Sequence, residues 1–506
     1  MMPWPATWAA RLWLGVLVLL PFLALGTPPL FDLDEGAFTS STTEMFLRGD
    51  FLSSYMLGEP RHDKPILIYW LQALSVSLWG ATEFGFRFPS ALAASAWILV
   101  TYLFVARVIS RQAGLTAALI IATAAGLTVI THAATADALL NLWLAAAAYA
   151  AWLWLQENRS HWRDLAFVCM ALGFLTKGPV AVLVPVGAVF LWCLSRGEIR
   201  RFLGFALHLR GMALFLLIAA PWFILQTWLE GPGFLEGFFL KHNLSRFDTP
   251  MEGHGGNYFY YLPVLLLSLL PHTGLLLAGL LKPGDIWRNP LARFGLLWFL
   301  LVFVLFTFSG TKLPHYLYYG YGGLLLILAA APLDRRWLLF PAPLLFAGLA
   351  AFPLLLARYQ DKLKPDDRLL AAGLEQAYGS GYLTLTLVLL AISLALLLTP
   401  RRWLARALHL NGLMAALAVA ALFMPALGQL LQAPVKAAGL AARSQEGRLV
   451  MYGTNTPSFQ TYAGRQVSRG MPGPGDLVLT RQSKLERLPA HDVLFQERGV
   501  MLLRIR

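Results

Sequence analysis

Ionisable side chains gather at the ends of apolar runs in this sequence, and their types suit phosphate chemistry. Phe31–Phe51 reads FDLDEGAFTSSTTEMFLRGDF and places Asp32, Asp34 and Glu35 directly after the first apolar run. Carboxylates beside hydrocarbon are costly unless solvated, paired or used. They read either as acids that act on a substrate or as a polar turn capping a helix that starts near Thr39. The stretch GEPRHDKPILIYWLQA, Gly58–Ala73, sets Lys64 before Pro65 at a helix start. A cation beside free helical amides attracts an anion such as phosphate, and a lysine snorkelling to the interface is the alternative. THAATADALLNLW puts Asp137 at the entrance of another apolar run, where it lines a polar cavity or caps a helix, and GFLTKGPVAVLVP puts Lys177 in a tight turn. Lys241, His242, Arg246 and His254 follow in one polar segment, with 238–247 expected as an interfacial helix; FSGTKLPHYLYYGY then adds Lys312, His315 and Tyr316. In such a set Asp34, Glu35 and Asp137 are the candidate catalytic acids. Lys64, Lys177, Arg246, Lys312, His315 and Tyr316 are the candidate phosphate-binding groups, so the set suits an enzyme acting on a phosphorylated lipid.

The elements that must carry these groups lie in a bilayer. The chain has 506 residues, 58% hydrophobic and 13% charged, with 17 Trp, 16 Tyr and 32 Phe, and a mean hydropathy of +0.60. Ordinary soluble domains carry roughly 25% charged residues, so a cytosolic enzyme is excluded and a polytopic membrane protein is expected. Apolar stretches near spanning length begin at Leu12, Phe88, Gly114, Ala136, Leu165, Val180, Ala213, Tyr258, Phe294, Leu317, Trp337, Tyr382 and Leu404, which predicts an all-α membrane protein of about thirteen transmembrane helices. The run Leu12–Leu25 reads as a retained anchor. Asp63–Gly80 is apolar but short, so it reads as interfacial or re-entrant, as does the amphipathic segment Ala37–Leu47. Cys169 and Cys193 lie inside apolar runs and offer no disulfide framework.

The net charge of +13 is spread over alternate loops, including Arg107 and Arg111, Arg159 and Arg163, Arg196 to Arg210, Arg335 and Arg336, and Arg401 to Arg406. Those loops are cytoplasmic by the positive-inside rule, and the dispersal argues against a nucleic-acid groove. The acids and cations named above all fall on the opposite face. The tail changes composition, with β-like runs in 447–454, 475–480, 493–497 and 500–505. The expected organisation is a membrane domain over 1–430, with a first outer loop at 31–87, and a small C-terminal α/β or mostly β extracytoplasmic domain over 431–506.

The motif order Asp32–Gly36, His62–Pro65, Thr135–Asp137, Leu175–Pro179, His242–Phe247 and Lys312–Tyr316 resembles the bacterial GT-C glycosyltransferases. Within them it is similar to the aminoarabinose lipid A transferase branch of the dolichyl-phosphate-mannose protein mannosyltransferase superfamily. The resemblance implies a thirteen-helix GT-C fold in the bacterial inner membrane with its active site on the periplasmic face. It also implies inverting transfer of a sugar from a polyprenyl-phosphate donor to a lipid A-like acceptor. Residue by residue, it makes Asp34 the catalytic acid of the first outer loop, Lys64 the donor-phosphate lysine and Arg246 a second phosphate ligand. Two positions depart from that branch: Gly36, Ala37 and Phe38 stand where Arg and Tyr usually follow the acids, and Asp63 stands where Glu usually precedes the lysine. A protein or polysaccharide acceptor therefore stays open. So does a flippase of prenyl-linked sugars, although no repeat or midplane ionisable pair marks a transporter. A divalent metal near Asp63, His242 and His254 is the one cofactor option; the spacing matches no recognised ligand set.

Overall fold

The computed structural model describes residues 4–245, 255–281 and 283–506, without the side chains of 242–244. Arg246 and His254, and the side chain of His242, lie outside the described residues. Six helices are long and apolar enough to cross a membrane: Glu83–Val108, Asp137–Glu157, Leu209–Glu230, Pro290–Thr307, Arg336–Lys362 and Arg401–Leu431. The count rises to eight if two bent pairs each make one span, Arg111–Thr123 with Ala125–Thr131 at 67° and Tyr261–Ser268 with Thr273–Leu280 at 116°. The expectation of about thirteen counted apolar runs whose helices are shorter. Those from Leu12, Val180 and Tyr382 fold as the short helices Trp8–Phe22, Val180–Leu194 and Ser380–Leu396. The run at Leu317 is divided between the tight Pro314–Gly320 turn and Tyr321–Leu328.

Much of the site is carried by the first half of the chain: α1 (Trp8–Leu19), α2 (Asp34–Arg48), α3 (Leu67–Trp79), α4 (Glu83–Val108), α5 (Arg111–Thr123), α6 (Ala125–Thr131), α7 (Asp137–Glu157), α8 (Ser160–Lys177) and α9 (Val180–Leu194). Thr82 caps α4 and Ser110 caps α5, each accepting from an amide three residues on. Helix α7 packs against α4, α8 and α9, and its window is 89% buried against 17% for Leu209–Glu230. Its alanine-rich middle, AAAAYAAW, lets neighbouring backbones approach. The centre of the bundle is thus α7, whose first residue is Asp137. Cys169 and Cys193 are buried free thiols in this packing.

The C-terminal segment forms a five-stranded mixed sheet in the order β4-β3-β5-β7-β6, from β3 (Leu449–Met451), β4 (Val467–Arg469), β5 (Leu477–Arg481), β6 (His491–Glu497) and β7 (Val500–Ile505). A short hairpin, β1 (Tyr55–Met56) with β2 (Glu59–Pro60), lies in the first loop. Strands β3, β4 and β5 are parallel, and β7 pairs antiparallel with β5 and β6. The Ser458–Ala463 helix crosses over from β3 to β4 and is buried at every residue.

That helix packs on α2, which corrects the reading of Ala37–Leu47 as a helix lying on the membrane. Thr39, Ser40, Ser41, Thr42 and Glu44 are all buried. The C-terminal domain meets part of the polar face, through Thr461 to Thr39 at 3.0 Å and Gln460 to Glu44 at 2.9 Å, while Thr42 donates to Gln72 of α3 at 2.7 Å. Small hydroxyl side chains permit that close seat; the sequence pattern alone reads the same residues as a wet face.

Candidate active site

Asp34 and Glu35 occupy the first turn of α2, where carboxylates favour the helix dipole, yet they have opposite surroundings. Glu35 is 2% exposed and takes Arg87 bidentately, at 2.7 Å from each oxygen. It also accepts from the Ala134 amide at 2.6 Å and the Phe31 amide at 2.9 Å. Arg87 spends its remaining donors on the carbonyls of Leu25, Pro28 and Pro29. One buried ion pair therefore ties the end of the first helix, α2, α4 and the turn before α7. Glu35, expected as a catalytic acid, has both oxygens consumed; the structure gives it a holding position. Arg87 was missed because it reads as the end of a loop. Its signal was an arginine in the first turns of an apolar span, which needs a buried carboxylate.

Asp34 is exposed into the cavities and makes no hydrogen bond or ion pair among the described residues. Two cavities meet at it. One, of ≈ 390 Å³, is walled largely by apolar side chains including Leu25, Phe31, Val129, Ile130 and Phe423. The other, of ≈ 370 Å³, is walled by Arg61, Asp63, Lys64, Lys177, Lys241 and Tyr316, among others. Asp34, Thr135, Asp137 and His315 line both.

Asp137, at the start of α7, takes a proton donor from Lys177 at 2.6 Å and from the Tyr319 hydroxyl at 2.8 Å, with His315 Nε2 3.8 Å away. Burial holds His315 below the usual histidine range, partly offset by Asp137. Lys64 donates to Asp63 Oδ1 at 2.6 Å, and Arg61 reaches Asp63 Oδ2 at 3.2 Å. One carboxylate thus aligns two cations at the edge of the polar cavity. Tyr316 lines the same cavity, its ring 4.7 Å from that of Phe306. Lys312 does not line either cavity; it is buried and donates to the Ser309 carbonyl at 2.6 Å, and burial lowers its pKa. The turn thereby separates Lys312 from His315 and Tyr316, which spacing had grouped.

For a metal, Asp63 is bound to Lys64 and Arg61, and His62 faces Glu230. No group of three or more His, Cys, Asp or Glu side chains that could hold a metal ion occurs among the described residues; the His242 side chain and His254 lie outside them.

Asp32 faces away, to the C-terminal domain. Its carboxyl accepts from the Ser458 amide at 2.9 Å and the Ser458 hydroxyl at 2.5 Å. Burial pushes its pKa up to about 7, against the lowering by those two hydrogen bonds. Gly36 lies under this contact: a Cβ there would meet Asp32 and come within 2.7 Å of the Ser458 nitrogen.

The pattern of the dolichyl-phosphate-mannose-protein mannosyltransferase family matches residues 63–225. An uncharacterized protein of Aquifex aeolicus (strain VF5) is 32% identical over 59% of this chain and 67% of its own length. The undecaprenyl phosphate-alpha-4-amino-4-deoxy-L-arabinose arabinosyl transferase of Aeromonas salmonicida (strain A449) is 31% identical over 65% of this chain, which spans 60% of that enzyme's length. Among solved structures, ArnT from Cupriavidus metallidurans bound to undecaprenyl phosphate matches with a TM-score of 0.81 at 20% identity, covering 99% of this chain and 98% of that one. The Archaeoglobus fulgidus oligosaccharyltransferase in its apo form matches at a TM-score of 0.50 and 13% identity, over 92% of this chain and 65% of that one. The fold is thus shared with ArnT over almost the whole chain.

Proposed function

Because the chain belongs to the dolichyl-phosphate-mannose-protein mannosyltransferase family, we propose that it is an inverting glycosyltransferase. It moves 4-amino-4-deoxy-L-arabinose from undecaprenyl phosphate to a lipid A-like acceptor on the periplasmic face of the bacterial inner membrane. The observation that carries this reading is Asp34, a carboxylate with no hydrogen-bond or ion-pair partner among the described residues, where a cation-lined cavity meets an apolar one. A phosphorylated lipid needs both surroundings side by side. The Aeromonas salmonicida relative, named as an arabinosyl transferase, supports the sugar and the carrier. The remaining short helices complete a thirteen-span GT-C domain over 1–430, and 431–506 form the periplasmic domain.

In the reaction an acceptor oxygen attacks the anomeric carbon, and the bond from that carbon to the phosphate oxygen breaks. The electron pair leaves on undecaprenyl phosphate. Lys64 takes up the charge developing on that phosphate, and Arg246, outside the described residues, is proposed as its second ligand on the family resemblance alone. Lys177 and His315 hold Asp137 at the cavity wall, and Tyr316 packs beside them. Asp34 accepts the proton of a hydroxyl acceptor, or steadies the positive sugar ring when the acceptor is an ionised phosphate.

The test is transfer of labelled sugar from undecaprenyl phosphate by purified protein in lipid, with a native lipid extract as acceptor. Label appearing on a new lipid product, and lost with Lys64→Ala, is the expected result. Label that crosses the bilayer while still attached to undecaprenyl phosphate would replace the transferase reading with that of a flippase.

A further inference from the structure

The polar cavity is lined by five Lys and Arg side chains among the described residues, and three have an acid partner. Arg61 and Lys64 share Asp63, and Lys177 holds Asp137. Lys241 has no hydrogen-bond or ion-pair partner among the described residues. Among the described residues Arg469 has only the side-chain carbonyl of Asn455, a neutral group. Arg469 closes the edge strand β4, and Asn455 lies in the loop after β3, so both come from the C-terminal domain. An arginine whose fork is steadied by an amide, facing a cavity without a compensating carboxylate of its own, is a docking point for an anion.

We propose that Arg469, oriented by Asn455 and joined by Lys241, binds a phosphate of the acceptor, so that the C-terminal domain takes part in acceptor selection. The commitment to the acceptor follows from placement. The donor's prenyl chain must stay among the spans, on the side of Lys64 and α7. Arg469 instead stands at the end of β4, in the C-terminal domain, whose Ser458–Ala463 helix packs on α2 outside the spans. Asp34 and Glu59, acids of the same lining with no hydrogen-bond or ion-pair partner among the described residues, disfavour an anion beside them, whereas Arg469 and Lys241 attract one. Only the word acceptor rests on the transferase reading; the anion seat stands on the lining of the cavity.

The experiment compares wild type, Arg469→Ala, Arg469→Lys and Asn455→Ala, full-length in nanodiscs, with Lys64→Ala as the donor-side control. Three quantities are read: binding of undecaprenyl phosphate, binding of lipid A and of its dephosphorylated form, and kcat and KM for transfer to lipid A. Arg469 is exposed, so Arg469→Ala is expected to melt as wild type does. It weakens binding of lipid A, and raises KM for it, by about 10-fold or more, the scale of a lost charge-assisted hydrogen bond. Undecaprenyl phosphate binding, kcat and binding of the dephosphorylated lipid stay near wild type. Arg469→Lys recovers part of the loss because charge remains but the fork does not, and Asn455→Ala shows a smaller loss of the same kind.

Unchanged lipid A binding in Arg469→Ala overturns the proposal. So does an equal loss with the dephosphorylated lipid, which would mark a structural role, or a loss confined to undecaprenyl phosphate, which would assign the residue to the donor. Wild type that binds lipid A through Arg469 yet transfers no sugar would keep the anion seat and discard the transferase reading.

Discussion

Glu35 and Asp34 are neighbours in sequence with different fates, and substitution separates them. Glu35→Gln leaves the Arg87 guanidinium buried without its counter-charge, a loss of about 3 to 5 kcal/mol for a broken buried pair. The expected outcome is a sharply lowered melting temperature in detergent, with activity lost through unfolding. Asp34→Asn removes no hydrogen bond or ion pair among the described residues and is expected to melt like wild type. Lys177→Met leaves Asp137 with the Tyr319 hydroxyl and His315. It is therefore expected both to destabilise and to lower transfer, and a melting curve read beside a transfer rate checks this. The sequence grouped these residues from the alternation of basic loops, and the structure brings Asp34, Lys177, Asp137 and His315 to the same cavities. It could not say which acid was free, since that depends on Arg87 arriving from α4, 52 residues along the chain. Lys312 was grouped with His315 for the same reason: three residues of tight turn are enough to point the two apart.

At the scale of elements, the contact between α2 and the Ser458–Ala463 helix holds the loop that bears Asp34. Asp32 has its pKa raised to about 7 from the usual 3.8 in the docked state, so docking binds a proton more tightly than release does. Docking is firmest at low pH, weakens as pH climbs from about 4 to 7, and levels off above that. Amide exchange in Ser458–Ala463, corrected for intrinsic rates, is expected to quicken between pH 5 and pH 8, and Asp32→Asn to flatten the dependence. A flat profile in wild type would contradict it. Gly36→Ala should loosen the same contact at every pH, because a methyl group has no room beneath Ser458. None of this was legible in the acidic motif: a run of Ser and Thr after two acids reads as a wet helical face, and the partner lies more than 400 residues away. Strand β4 escaped notice because three residues at a sheet edge carry too short an alternation to register, whereas β5, β6 and β7 have it.

The site is expected on the face opposite the basic loops, and labelling reads this directly. Gln482, in the exposed turn after β5, and Ser160, at the start of α8, are both exposed, while Cys169 and Cys193 are buried. An impermeant maleimide added to intact spheroplasts is expected to label Gln482→Cys and to spare Ser160→Cys until the membrane is opened. Composition carried the membrane assignment securely, because 58% hydrophobic residues leave too little polar surface for water. The number of spans was less legible, since hydropathy counts residues in tight turns, such as Pro314–Gly320, as though they were helix.

The most direct test of the site is Asp34→Asn in lipid nanodiscs, with undecaprenyl phosphate binding and sugar transfer measured on one preparation. Binding within about 2-fold of wild type, with transfer reduced at least about 100-fold, is the predicted result, since a positioned acid or base contributes factors of that order to chemistry and little to holding a phosphate. Transfer retained at wild-type rate, or binding lost in step with transfer, would contradict the assignment of Asp34 as the group that acts on the sugar.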